Sequence, residues 1–129
     1  MNISIEKVGK LMSGKVFSVD AAKNIKQAAT EMTEKEVGSL MVTRGGDFVG
    51  IITQSNIVRK VVSLGLDPAT ITVTKVMSSP VVTIDATQSL KEANGLMKQN
   101  KIKHLGVTRN DKIVGVLSVR DLLHSVDVE

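Results

Sequence analysis

Leu40-Met41-Val42-Thr43-Arg44 and Val49-Gly50-Ile51-Ile52-Thr53 return later in the chain as Leu105-Gly106-Val107-Thr108-Arg109 and Val114-Gly115-Val116-Leu117-Ser118. Both pairs are separated by 65 positions, the interval from Met12 to Met77. Working outward, the same offset carries Val8-Gly9-Lys10-Leu11-Met12-Ser13 onto Val73-Thr74-Lys75-Val76-Met77-Ser78, and Val19-Asp20-Ala21 onto Ile84-Asp85-Ala86. Residues 8–60 thus repeat as residues 73–125 without a gap, and residues 61–72 link them. Almost the whole chain is two copies of one unit. Any site formed by one copy has a counterpart in the other.

Each copy opens with a short apolar stretch, Lys15–Val19 or Pro80–Ile84, whose alternation and β-branched content predict a strand. A helix follows. Asn24-Ile25-Lys26-Gln27 and Ser89-Leu90-Lys91-Glu92 both fit a capping box at its start. Behind them Ile25, Ala28, Ala29 and Met32, and likewise Leu90, Ala93, Leu96 and Met97, line one helical face. Two strands come next, turning at Gly45-Gly46-Asp47 and at Asn110-Asp111-Lys112. A second helix begins at Thr53 or Ser118, both good N-cap residues. In the linker Gly65 is a helix stop and Pro68 a break.

The pattern predicts an α/β chain of the α+β kind, made of two tandem β-α-β-β-α units. One small sheet with two helices leaves Leu40, Val42, Val49 and Ile51 in need of cover, and the duplicate copy supplies it. The halves are therefore expected to pack sheet to sheet about a pseudo-twofold axis.

The 129 residues suffice for one domain with a sizeable core. The absence of cysteine excludes disulfides and thiol chemistry. Phe17 and Phe48 are the only aromatic residues, so Val, Ile, Leu, Met and Ala must fill the interior. The net charge of +4 permits anionic ligands. The positive residues are scattered and not interleaved with aromatics, which weighs against nucleic acid as a partner. No stretch is long and apolar enough to span a membrane, and no signal peptide is evident; the cytoplasm is the expected location. His104 and His124, the only histidines, have no metal-ligand spacing around them, so no metal is expected.

The order Val-Met-Ser-x-Pro-Val-Val-Thr-Ile-Asp (76–85), Ser-Leu-x-Glu-Ala-x-x-Leu-Met (89–97), His-Leu-x-Val (104–107) and Val-Gly-Val-Leu-Ser-x-x-Asp-Leu (114–122) resembles the cystathionine β-synthase (CBS) domain. Two in tandem resemble a Bateman module. The likeness covers nearly the whole chain, and the ordered set occurring twice makes it specific. The resemblance implies a regulatory unit, not an enzyme. It also implies an adenosine-containing ligand (AMP, ADP, ATP or S-adenosylmethionine) held in clefts, and a homodimer formed through helix faces. No other cofactor is required. The regulated protein would be another chain.

Within that resemblance Gly115-Val116-Leu117-Ser118-Val119-Arg120-Asp121 matches the family's nucleotide motif. Ser118 lies where a strand turns into a helix, at the end that attracts anions. Its hydroxyl can donate to phosphate, Asp121 can accept from both ribose hydroxyls, and Arg120 can add charge toward phosphate. The plainer alternative is that Ser118 and Asp121 only cap the helix, and the two roles are compatible. In the first copy Thr53 takes the place of Ser118 and Asn56 that of Asp121, without charge, so this site ranks second. Lys103, His104 and Leu105 stand where the family has phosphate-facing basic residues and an adenine-lining strand; the first copy has Gly38, Ser39 and Leu40 instead. Pro80, Val81 and Thr83 match the segment whose backbone lies against adenine. Phe17, in the equivalent segment, reads as core filler more than as a base-stacking ring. The terminal helices around Ile57, Val58, Val61 and Val62, and Leu122, Leu123 and Val126, are apolar enough to expect a second copy against them. A ligand-free dimerisation and protein-interaction module is the competing reading.

Overall fold

The computed structural model describes residues 7–127, with side chains through residue 123. In chain order its elements are α1 (Val8–Leu11), β1 (Ser18–Asp20), α2 (Ile25–Lys35), β2 (Ser39–Arg44), β3 (Asp47–Thr53) and α3 (Gln54–Ile57), which runs into a π-helical stretch (Val58–Val62). Then come α4 (Val73–Val76), β4 (Thr83–Asp85), α5 (Leu90–Asn100), β5 (His104–Arg109), β6 (Lys112–Ser118) and α6 (Val119–Asp127). The strands form two three-stranded sheets, β1-β2-β3 and β4-β5-β6. In each the first pair is parallel and the second antiparallel, which makes this an α+β fold.

Two compact units divide the chain, one running from Phe17 to Val81 and the other joining the segment up to Val16 to the segment from Val82. Each unit therefore takes its lead segment from the other sequence copy. In the β1–β3 unit, Ser78 and Ile51 exchange backbone hydrogen bonds of 2.8 and 2.9 Å. In the β4–β6 unit, Ser13 and Val116 do the same at 2.9 and 3.1 Å. The repeat pattern extends the opening strands back to Lys15 and Pro80, but the structure starts them at Ser18 and Thr83. The ladder sets the start: the Phe17 and Val82 carbonyls accept from the Met41 and Gly106 amides, both at 3.0 Å.

Local chemistry sets the boundaries. Asn24 Oδ1 accepts from the Gln27 amide at 2.8 Å while Gln27 Oε1 accepts from the Asn24 amide at 2.9 Å. Ser89 and Glu92 close the same reciprocal box at 3.1 and 3.2 Å, so four orphan amides are satisfied at two helix starts. The hairpins turn through two residues of positive φ, Gly45 (59°) and Gly46 (86°), or Asn110 (51°) and Asp111 (63°), as tight right-twisted hairpins require. Gly65, at φ 67°, follows the end of the π-helical stretch as expected of a helix stop.

The helical periodicity becomes burial. Ile25, Ala28 and Met32 of α2 pack with Leu40, Val42 and Ile52, and the lead-segment residues Val73 and Val76 complete that cluster. Leu90, Ala93 and Met97 of α5 pack with Leu105, Val107 and Leu117, completed by Val8. Phe17 is half-buried against the first cluster, and its ring lies 5.4 Å from Lys35 Nζ, consistent with a filler role. Among the described residues no helix is long and apolar enough to cross a membrane.

Candidate functional site

Each sheet's last strand ends where a helix begins, and the two junctions can be compared atom by atom. In the β4–β6 unit the Ser118 amide donates to Asp121 Oδ2 at 2.8 Å and the Ser118 hydroxyl donates to the same oxygen at 3.2 Å. The Asp121 amide returns a long bond to Ser118 Oγ at 3.4 Å. Capping is thus realised. It uses one carboxylate oxygen, and Oδ1 takes no hydrogen bond among the described residues. Both residues are half-buried, so the carboxylate is held in place yet reachable.

In the β1–β3 unit the Thr53 amide donates to Asn56 Oδ1 at 2.9 Å and the Asn56 amide donates to Thr53 Oγ1 at 3.1 Å. Asn56 Nδ2 then donates to Ser78 Oγ at 3.1 Å. The amide side chain spends both its ends on the protein.

Register places the remaining candidates. His104 pairs with Ser118 across β5 and β6, as Ser39 pairs with Thr53. His104 is half-buried. That burial pushes its pKa below the usual imidazole range, the Asp121 carboxylate pulls it partly back up, and the Lys103 charge lowers it again. Lys103 and Arg120 are exposed. Leu105 sends its side chain into the core, so it can offer a ligand only backbone. Thr83 opens β4 opposite Gly106.

Pro80 and Val81 fall in the unit of Thr53 and Asn56. The sequence resemblance sets them beside Ser118 and Asp121, whereas the lead segment packed within the unit of Ser118 and Asp121 contains Met12, Ser13 and Lys15. The exchange of lead segments is the reason. Gly50 and Gly115 are what let those leads lie so close: a Cβ on Gly50 would stand 2.8 Å from the Ser78 carbonyl oxygen, and one on Gly115 2.7 Å from that of Ser13. Motif reading overlooked Ser13, Ser78 and the Met41/Gly106 exchange. The repeated Met-Ser at 12–13 and 77–78 was the available signal for the serines, and strand alternation the signal for Met41.

Duplicated three-stranded mixed sheets, each ending in a capped strand-to-helix junction, define a tandem α+β module. The chain belongs to the CBS domain family, whose model matches residues 8–63 and 73–127. In tandem, such domains are generally regulatory, ligand-binding modules. An uncharacterized protein of Methanopyrus kandleri is 30% identical over 118 residues, covering 90% of this chain. The chain spans only 60% of that relative's length. Among solved structures, a conserved protein from Pyrococcus horikoshii superposes with a TM-score of 0.90 at 31% identity, over 98% of this chain and 95% of that one. A hexameric CBS-CP12 protein from bloom-forming cyanobacteria superposes with a TM-score of 0.88 at 26% identity, over 95% of this chain and 73% of that one.

Proposed function

We propose that this chain is a sensor of adenosine-containing ligands that acts on a separate protein, and that the ligand is held at the β6–α6 junction. The observation that carries the reading is the Asp121 carboxylate. One oxygen is fixed by Ser118 and the other takes no hydrogen bond among the described residues. A carboxylate so placed accepts from the two hydroxyls of a ribose in charge-assisted bonds. The first turn of the nine-residue α6 offers amides and a positive dipole end to a phosphate. Lys103 and Arg120, both exposed, are free to swing toward that charge.

Calorimetry with AMP, ADP, ATP and S-adenosylmethionine tests this. Hydrogen bonds to a charged group contribute about 1.5–3 kcal/mol. Asp121→Ala is therefore expected to weaken binding roughly 10- to 150-fold, and Asn56→Ala to change it far less. Folding of each variant is checked by circular dichroism, because Asp121 also caps α6. Absence of binding by the intact chain at millimolar ligand would leave the interaction module as the reading.

A second copy as partner is favoured by exposed apolar side chains. In the β1–β3 unit Val58 (56%) and Val62 (65%) point to solvent, followed by Leu64 and Leu66. In the β4–β6 unit Leu123 (58%) does so. Val61 and Leu122 are instead buried in their own units' cores, so the apolar helix faces serve both purposes. The side chain of Val126 lies outside the described residues. The hexameric cyanobacterial neighbour is an assembly of several chains. Sedimentation showing only a 13.8 kDa species at tens of micromolar protein would contradict a homodimer.

A further inference from the structure

We infer that the β3–α3 junction is shut by its own residues, so that the chain holds one adenosine ligand and not two. This rests on the reading just given, and two independent observations carry it. The first is the Asn56–Ser78 bond. Asn56 Nδ2 donates to Ser78 Oγ at 3.1 Å and Oδ1 accepts from the Thr53 amide at 2.9 Å. The bond ties the first turn of α3 to the lead segment and occupies both ends of the group that a ribose would need. Its counterpart differs in kind: Asp121 has no proton to donate, and the Ser13 hydroxyl donates weakly to the Lys15 carbonyl at 3.4 Å.

The second observation is in the middle strand. Ser78, Ile51, Met41 and Ser18 stand side by side across the first sheet, as Ser13, Val116, Gly106 and Thr83 do across the second. Strand alternation puts Met41 on the face of Ser39 and Thr53, opposite Leu40 and Val42, which enter the helix-side core. Met41 is 1% exposed although it is not in that cluster. A buried thioether thus lies beside Ser39 and Thr53 on their own face, whereas Gly106 puts no side chain beside His104 and Ser118. The charges go the same way: Asn56, Ser55 and Ser39 replace Asp121, Arg120 and His104. The first junction has become a latch between helix and lead segment.

The test is stoichiometry on the intact chain by calorimetry, with ATP and AMP as probes. One ligand per chain is expected, weakened roughly 10- to 150-fold in Asp121→Ala and kept in Asn56→Ala. Two ligands per chain, or one that Asn56→Ala abolishes and Asp121→Ala spares, overturns the latch while leaving the sensor reading intact. No binding at all overturns the sensor reading and the latch with it. A conservative variant isolates the latch: Ser78→Ala should lower the melting temperature by about 3 °C with ligand affinity unchanged. A loss of affinity of about tenfold or more in that variant would make Ser78 part of a ligand site and refute the inference.

Discussion

The two units agree where volume matters and part where charge matters. Leu40 and Leu105, Val42 and Val107, and Ile52 and Leu117 fill matching core places, and both hairpins shift register at the same point, opposite Val42/Thr43 and Val107/Thr108, where Val49 and Val114 are the extra residues of the third strands. The junction positions change chemical class instead: Asn56 for Asp121, Ser55 for Arg120, Ser39 for His104. A close-packed interior tolerates only near-isosteric exchange, so duplicated cores stay alike. A half-exposed junction carries no such constraint. It is the place where two copies can take different tasks without either losing its fold.

The comparison is tested hardest where the lead segments cross the glycines. Gly115→Ala and Gly50→Ala would each force a Cβ against a carbonyl oxygen and a methionine of the lead segment. Backbone oxygen cannot retreat cheaply, so each substitution should cost about 1–3 kcal/mol of stability in chemical denaturation. If the two approaches are equivalent, the losses match. A loss in only one would show that the lead segments are held unequally.

A smaller effect should appear at the helix starts. Asn24→Ala and Ser89→Ala remove the two reciprocal caps, and each should cost about 1 kcal/mol. The side chains differ, but each accepts one amide at its helix start, so similar values are expected. Unequal values would mean that Asn24's neighbours, where the Ile25 amide also donates to the Ile71 carbonyl, share the task.

The repeat offset, the capping boxes, the two-residue turns and the helix faces were legible because each is a local rule acting on adjacent residues. Asn24 and Ser89 announce their helices without help from the rest of the chain. The exchange of lead segments was not legible. Val8 and Val73 are apolar in either arrangement, and nothing local says which sheet they will join. The Ser118–Asp121 box could be read from spacing, since three residues separate donor and acceptor on one turn. The Asn56–Ser78 bond could not, because 22 residues lie between its ends and the lead exchange decides it. Met41 was legible in principle: alternation from Leu40 and Val42 already assigns it to the other face.

The smallest expected effect concerns His104, which faces Ser118 where the other unit has Ser39 facing Thr53. Burial favours its neutral form, and the Lys103 charge adds to that against the pull of Asp121. Its folded pKa therefore lies below the unfolded value near 6.5. As pH falls through that value the unfolded chain takes up a proton that the folded chain refuses, so stability falls with pH until the lower folded value is passed. Above the unfolded value the contribution is fully present. His104→Gln should remove this part of the slope between about pH 7.5 and 5. His124 remains in both proteins and cancels in the difference. A bound phosphate beside His104 would act in the opposite sense, raising its proton affinity, so ligand binding should strengthen as pH falls through the same range and lose that dependence in the variant. If His104→Gln leaves both slopes untouched, the histidine is a solvated strand end. The charge contrast between the two junctions would then rest on Asp121 and Arg120 alone.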